Sequence, residues 1–170
     1  MDTLSVQPPK YKLNDKWNLY YHLPHNNNWD LKSYTVILGG IHYAEEVICL
    51  NKAINDGIIR QCMLFLMRDG ITPMWEDPKN REGGCFSFKV INKIVPDVWK
   101  TLVFLLCGES LAVNKEHCKH INGITVSPKK NFCIIKVWMD TTAYKDPSML
   151  VTIPNLLAEG CLFKKHEPEF

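Results

Sequence analysis

The sequence predicts an α+β fold: an antiparallel sheet with about three helices packed on one of its faces. Three observations predict it. Short runs rich in β-branched and aromatic residues come in pairs across brief polar turns, as antiparallel neighbours do. Three longer stretches have apolar residues at helical spacing, each confined to a single stripe. One stripe per helix lets all three helices share one sheet face, which leaves the other face free to receive a ligand.

The elements follow in order along the 170 residues. Residues 1–10, with Pro8 and Pro9, read as a flexible arm. Trp17–Leu23 reads as a strand, and His25 to Asp30 as a polar loop that exposes Trp29. Tyr34–Leu38 is a second strand closed by Gly39 and Gly40. Across Tyr43–Asn55 the apolar positions Ala44, Val47, Ile48, Leu50 and Ile54 fit a helix. Glu45 and Glu46 fall in its first turn and Gly57 beyond its end. Gln61–Met67 and Cys85–Ile91 are strands. Val95–Cys107 puts Val95, Val98, Trp99, Leu102, Val103 and Leu106 on one helical stripe. His120–Val126 and Phe132–Met139 flank a turn containing Lys129 and Lys130. Asp146 and Pro147 form a good helix start, predicting a third helix towards Ala158, kinked at Pro154. Cys161–Lys165 reads as a last strand.

Residues 11–170 suit a single domain large enough to bury a core. Hydrophobic residues make up 46% and charged residues 22%, and the net charge of +2 supplies no general field for nucleic acid. Any nucleic-acid ligand must therefore be read by a local site. The longest apolar runs, such as Val103–Cys107, are far too short to cross a bilayer, and the N-terminus lacks the pattern of a secretory signal. The seven cysteines are odd in number and sit mostly inside apolar runs. They read as reduced thiols used as small core residues, the usage of a cytosolic or nuclear protein, and a cytoplasmic monomer is expected.

Several kinds of chemistry find no support. Gly39-Gly40 and Gly83-Gly84 are isolated pairs with no phosphate-binding motif around them. His117-Cys118-Lys119-His120 lacks a matching ligand pair, so no metal or other cofactor is expected. Gly108-Glu109-Ser110 reads as a helix end. Glu76 and Asp77 are adjacent and therefore diverge, with no histidine or metal cluster beside them, so no enzyme activity is expected.

The informative stretch is Trp75-Glu76-Asp77, set in a turn-rich loop between prolines and glycines. Trp99, on a helical stripe, and Trp17, at a strand start, read as core. Trp29 and Trp75 lie instead in loops beside acids, and Trp138 closes a strand. Two indoles from separate loops can sandwich a flat ring, each contributing roughly 1–3 kcal/mol. A cationic ring gains roughly 0.5–2 kcal/mol more from the indole quadrupole. A carboxylate at the ring's edge can take two adjacent N–H donors at roughly 1.5–3 kcal/mol each. Guanine offers that pair of donors, and N7-methylguanine, as at the 5′ end of mRNA, is its cationic form.

The run from Arg68 to Asn80, followed by Gly83-Gly84, closely resembles the cap-binding segment of the eukaryotic translation initiation factor 4E family. Lys16 to Tyr21 followed by Trp29, Trp99 through Ser110, and Val137-Trp138 are similar to other parts of that family, so the likeness covers about residues 11–140. The resemblance implies a curved sheet with helices on its convex face and a ligand cleft on the concave side. It implies that Trp29 and Trp75 sandwich the methylated base, Glu76 binds N1 and the amino group, and Trp138 lies against the methyl. A backbone N–H of Trp75 or Glu76 would serve O6, and Asp77 would brace the loop. For the phosphates it suggests Lys129, Lys130 and Lys136, the last on the same strand face as Trp138. A basic family position is Cys85 here.

The implied partners are capped mRNA and, on the helical face, a helical peptide of a scaffold factor 4G or of a repressor. The expected partner surface includes Tyr11, Ile48, Trp99 and Thr101. Here the chain departs from the family, with Tyr11-Lys12 for a His-Pro pair, Ile48 for a tryptophan and Thr101 for an acid. Two functions follow: cap binding in translation initiation, or cap binding by a repressor or cap-sequestering homologue with altered scaffold binding. Lys164-Lys165-His166 stand where the family has a flexible loop closing over the cap.

Overall fold

Alternation of side chains along seven strands sorts the interior into two layers. The computed structural model describes residues 11–170, so the arm expected at 1–10 lies outside the described residues. The strands are β1 (Lys12–His22), β2 (Tyr34–Tyr43), β3 (Met63–Arg68), β4 (Gly84–Ile91), β5 (Ile121–Pro128), β6 (Phe132–Met139) and β7 (Leu162–Lys165). Helices α1 (Ala44–Ala53), α2 (Asp56–Gln61) and α3 (Val95–Cys107) complete the regular structure, with short 3-10 turns at Leu31–Ser33, Lys115–His120 and Pro147–Met149. The strands form one curved sheet in the order β2-β1-β3-β5-β6-β4-β7, and every pairing is antiparallel.

One set of alternate positions meets the helices. Trp17 and Leu19 of β1, Leu64 and Leu66 of β3, Phe86 and Phe88 of β4, and Ile135 and Val137 of β6 join Trp99, Leu102 and Leu106 of α3 in the main core. The other set forms a smaller cluster on the opposite, concave face. Phe65, Met67, Ile71, Cys85 and Trp138 are its buried members, with Tyr20, Tyr34, Met63 and Trp75 packed around them. A second apolar cluster therefore covers part of the face without helices.

Local chemistry sets the helix ends. The Glu46 carboxylate accepts the His42 and Tyr43 N–H groups, at 2.7 and 3.1 Å, which turns β2 directly into α1. Asn55 accepts Ile58 N–H at 2.9 Å and starts α2, in a stretch the sequence reading left between the first helix and the strand at Gln61. Strand β2 also runs past the glycine pair to Tyr43. Gly40 takes a φ of 69° there, and the pairing with β1 shifts register between Trp17 and Leu19.

The third helix expected from Asp146 towards Ala158 is not formed. Asp146 caps as expected, accepting Ser148 N–H at 2.9 Å, but the helix stops after the single 3-10 turn. Val151, Thr152 and Ile153 are β-branched, and Pro154 biases the residue before it towards extended backbone. Leu150 instead bridges to Ala112, and Ile153 to Leu156, so Leu150, Ile153 and Leu156 are buried without a helix.

Arg68, at the end of β3, ties the sheet to the end of α3. Its guanidinium lies 4.5 Å from the Trp17 ring centroid, pairs with Glu109 and with Asp15 at 3.1 Å, and donates to the Cys118 and Ile121 carbonyls. Removing this charge leaves the Glu109 carboxylate and the two carbonyls without their partner in a partly buried place. Arg68→Ala should therefore lower unfolding stability by roughly 3–5 kcal/mol, read as a reduced midpoint in urea melts.

Candidate ligand site on the concave face

The loop from Asp69 to Gly83 carries Trp75 and Glu76 between β3 and β4. Irregular backbone needs partners for its polar groups, and two side chains supply most of them. Asp77 accepts from the Thr72 N–H (2.7 Å), the Thr72 hydroxyl (2.8 Å) and the Lys79 N–H (2.8 Å). Asn80 is fully buried and donates to the carbonyls of Thr72 and Met74, at 2.9 and 2.8 Å. Asn122 of β5 donates to the Asn80 amide oxygen and to the Lys79 carbonyl, both at 2.9 Å, which fastens the loop to the sheet. Asp77 thus braces the loop, the part the resemblance implies for it. Gly83 passes so close to β6 that an added Cβ would lie 1.8 Å from the Met139 carbonyl oxygen. Only a glycine fits there.

With the loop fixed, six rings run across the concave face. Trp29 lies 6.4 Å from Tyr34, Tyr34 lies 5.3 Å from Phe65, and Phe65 lies 6.5 Å from Trp138. Trp138 lies 5.0 Å from His166, and His166 is 5.7 Å from Trp75 with the planes 17° apart. The two loop tryptophans stand at the ends of this strip. Trp29 is 48% exposed and Trp75 half-buried, whereas Trp138 is the floor, with its indole N–H donated to the Thr125 hydroxyl at 2.7 Å. Trp29 is stacked in parallel on His22, with centroids 4.1 Å apart and planes 5° apart.

Glu76 is partly exposed, and one carboxylate oxygen accepts the Glu169 backbone N–H at 3.2 Å. Its charge reaches across the site. Burial first, and then the Glu76 carboxylate, push the Tyr34 phenol above its ordinary range. The segment after β7 therefore lies against the edge of the loop, with the Lys164 ammonium 5.8 Å from the Trp75 ring centroid. The sequence placed these residues near a cap-closing loop; the aromatic role of His166 carried no sequence signal, because β7 must first pair with β4.

The Cys85 and His166 side chains share a contact beneath the strip. Burial, opposed by the charge of Lys136, pushes the Cys85 thiol up to about 12, so the sulfur keeps its proton. It donates to His166 Nε2 at 2.9 Å, while Nδ1 donates to the Asn80 carbonyl at 2.6 Å. Both contacts are met together by a neutral ring with its proton on Nδ1.

The lysines separate. Lys136 lies on the Trp138 face of β6, and its charge is felt at both Cys85 and His166. Lys129 and Lys130 are in the exposed β5–β6 turn, where Lys129 N–H donates to the Phe132 carbonyl at 2.8 Å. Trp138 is six residues further along β6, roughly 20 Å away at about 3.3 Å per residue. Strand register puts that turn at the Trp29 end of the sheet, where His22 pairs with Met63 and Leu64 with Val126. On the helical face, Tyr11 and Ile48 are exposed, at 68% and 43%, and Thr101 is half-buried. Trp99 is 1% exposed and belongs to the core, so it offers a partner no surface. Among the described residues no group of three or more histidine, cysteine, aspartate or glutamate side chains could hold a metal.

Burial, opposed by the hydrogen bond to Asn80, lowers the pKa of His166; Lys136 lowers it further and Glu76 raises it. The folded chain thus resists a proton that the unfolded chain accepts at about pH 6.5. The unfolded state binds more protons below that value, so stability falls as pH drops through it. Thermal melts between about pH 7.5 and 5.5 should show this fall, and it should be smaller in His166→Phe.

Comparison with known proteins identifies a family for this chain. A family model described as eukaryotic initiation factor 4E matches residues 12–167. A eukaryotic translation initiation factor 4E homolog of Acanthamoeba polyphaga mimivirus is 46% identical over 63 residues, which is 37% of this chain and 23% of the viral protein. Eukaryotic translation initiation factor 4E of Eremothecium gossypii is 31% identical over 143 residues, 76% of this chain and 62% of the fungal one. The matched part spans less than two thirds of each of these relatives. Among solved structures, eIF4E-3 of C. elegans, in complex with the 4E-binding protein Mextli and cap analog, superposes with a TM-score of 0.69. The pair is 22% identical over 78% of this chain and 75% of that one. Eukaryotic initiation factor 4E is therefore the family to which this chain belongs.

Proposed function

We infer that this chain binds the 7-methylguanosine 5′ cap of mRNA and acts in translation initiation. The observation that carries the reading is the braced loop that holds Glu76 beside an aromatic strip with an accessible indole at each end. The printed descriptions of similar structures support it, since Ascaris suum eIF4E-3 was solved with m7G cap and the schistosome eIF4E with m7GpppG and 4E-BP.

In this reading the methylated base enters over Trp138 and lies between Trp29 and Trp75. Each indole face contributes roughly 1–3 kcal/mol of stacking, and the positive ring makes both contacts stronger. The Glu76 carboxylate takes N1–H and the exocyclic amine. One of its oxygens already accepts a backbone N–H from Glu169, so a ligand that takes both oxygens displaces that contact. Lys136 faces the site and receives the first phosphates, whereas Lys129 and Lys130 are placed to meet only a more distant part of the chain of phosphates. The work is binding and not catalysis.

A second reading keeps cap binding but replaces the usual scaffold with another partner or with none. It is favoured by the aliphatic Ile48 at an exposed position where the resemblance implies a tryptophan, and by the burial of Trp99.

Titration with 7-methyl-GTP should quench tryptophan fluorescence with a dissociation constant of about micromolar or tighter (roughly −8 kcal/mol), and GTP should bind far more weakly. Glu76→Gln should weaken the methylated ligand by roughly 1.5–3 kcal/mol; equal affinity for both nucleotides would falsify the cationic-ring reading. Lys136→Ala should reduce both the affinity and its salt dependence, and Lys130→Ala should change them less. In a pull-down, robust capture of a helical scaffold peptide by this chain would exclude the second reading.

A further inference from the structure

The two loop tryptophans have one feature in common that the proposed sandwich does not require. Each rests one face on a buried histidine. His22 is 0% exposed and stacks on Trp29, and His166 is 2% exposed and stacks on Trp75. Each histidine is also tied to the loop that carries its tryptophan. His22 Nε2 lies 2.8 Å from the carbonyl of Asn28, the residue just before Trp29, and Nδ1 lies 3.0 Å from the Leu23 carbonyl at the start of the same loop. Whichever tautomer the ring adopts, it donates to one end of that loop, and as the imidazolium it donates to both. His166 Nδ1 donates to the carbonyl of Asn80, in the loop of Trp75, and Nε2 accepts from Cys85 on β4.

We propose that His22 and His166 are a pair of positioning residues, each setting the plane of its indole before ligand arrives. Stacking alone lets two rings slide and rotate over one another. A ring whose nitrogens are fixed to carbonyls of the same loop removes that freedom and hands the orientation of the frame to the indole. His22 is anchored at the end of β1, and His166 directly after β7, so both references are strands. The covered face of Trp29 is the one on His22, which leaves the opposite face to solvent and to the base. Prior orientation removes part of the ordering that an aromatic side chain otherwise undergoes on binding.

The proposal rests on the cap reading, and the experiment separates the two. Stopped-flow mixing with 7-methyl-GTP gives association and dissociation rates for the wild type, His22→Phe, His22→Ala and His166→Phe, with thermal melts confirming that each variant is folded. Phenylalanine keeps a flat ring and loses the ties to the carbonyls, so it remains informative where alanine fails to fold. Fewer molecules with correctly set indoles should lower the association rate by roughly 3- to 10-fold while the dissociation rate changes little. Upfield ring-current shifts of the His22 ring protons in NMR spectra, lost in Trp29→Ala, should report the stack in the free protein. Folded variants of both histidines with wild-type association rates overturn the positioning role. A wild type that binds no 7-methyl-GTP sinks the cap reading, and the ligand half of this proposal with it, even where the ring-current shifts are present.

Discussion

Everything on the concave face depends on how the loop between β3 and β4 satisfies its own backbone. That segment has no strand neighbour, yet it carries the indole and the carboxylate at the centre of the site. Asp77 and Asn80 replace the missing sheet ladder with side-chain hydrogen bonds, and Asn122 extends the network into β5. Such a network is strong only when complete, because each buried polar group left alone costs roughly 1–3 kcal/mol. The Asn80 amide has both hydrogens and its oxygen engaged, and its backbone carbonyl receives His166. One residue therefore joins the loop, the central sheet and the segment after β7.

The parts of the fold that sequence made legible are those decided by local periodicity. Phe132–Met139 and Val95–Cys107 have the bounds read from their patterns, because a two-residue or single-stripe repeat leaves little room for another register. Where a local signal competed with a longer-range one, the outcome was decided elsewhere. Asp146 and Pro147 start a turn as expected, but the β-branched run before Pro154 and the bridge from Leu150 to Ala112 stop the helix. Helix α2 was hidden because its six residues are too few to show a stripe, and Gly57 within it reads as a stop signal for α1.

The site was legible for a different reason. Trp29, Trp75 and Glu76 could be singled out because indoles beside acids in turn-rich loops conflict with ordinary packing, whereas Trp138, a strand residue, was marked by the family resemblance. Their arrangement along one aromatic strip needed coordinates, since Tyr34 and Phe65 look like unremarkable strand residues in isolation. The histidines that back the indoles were invisible for the same reason: His22 reads as a strand end, and His166 acquires meaning only once β7 lies beside β4. Lys129 and Lys130 gain their position from strand length: β6 carries the chain six residues from Phe132 to Trp138, and strand register leaves the basic turn at the Trp29 end of the sheet.

Strand β2 forms one border of the sheet, and Val36, Ile37 and Leu38 are all substantially exposed along it. A flat apolar border of that kind is a template on which another chain could continue the sheet. The register shifts opposite Trp17 and Leu19, with the left-handed backbone of Gly40, twist this border out of plane. Straightening that kink would convert a protective curl into an adhesive rim without altering a single side chain of the concave-face strip.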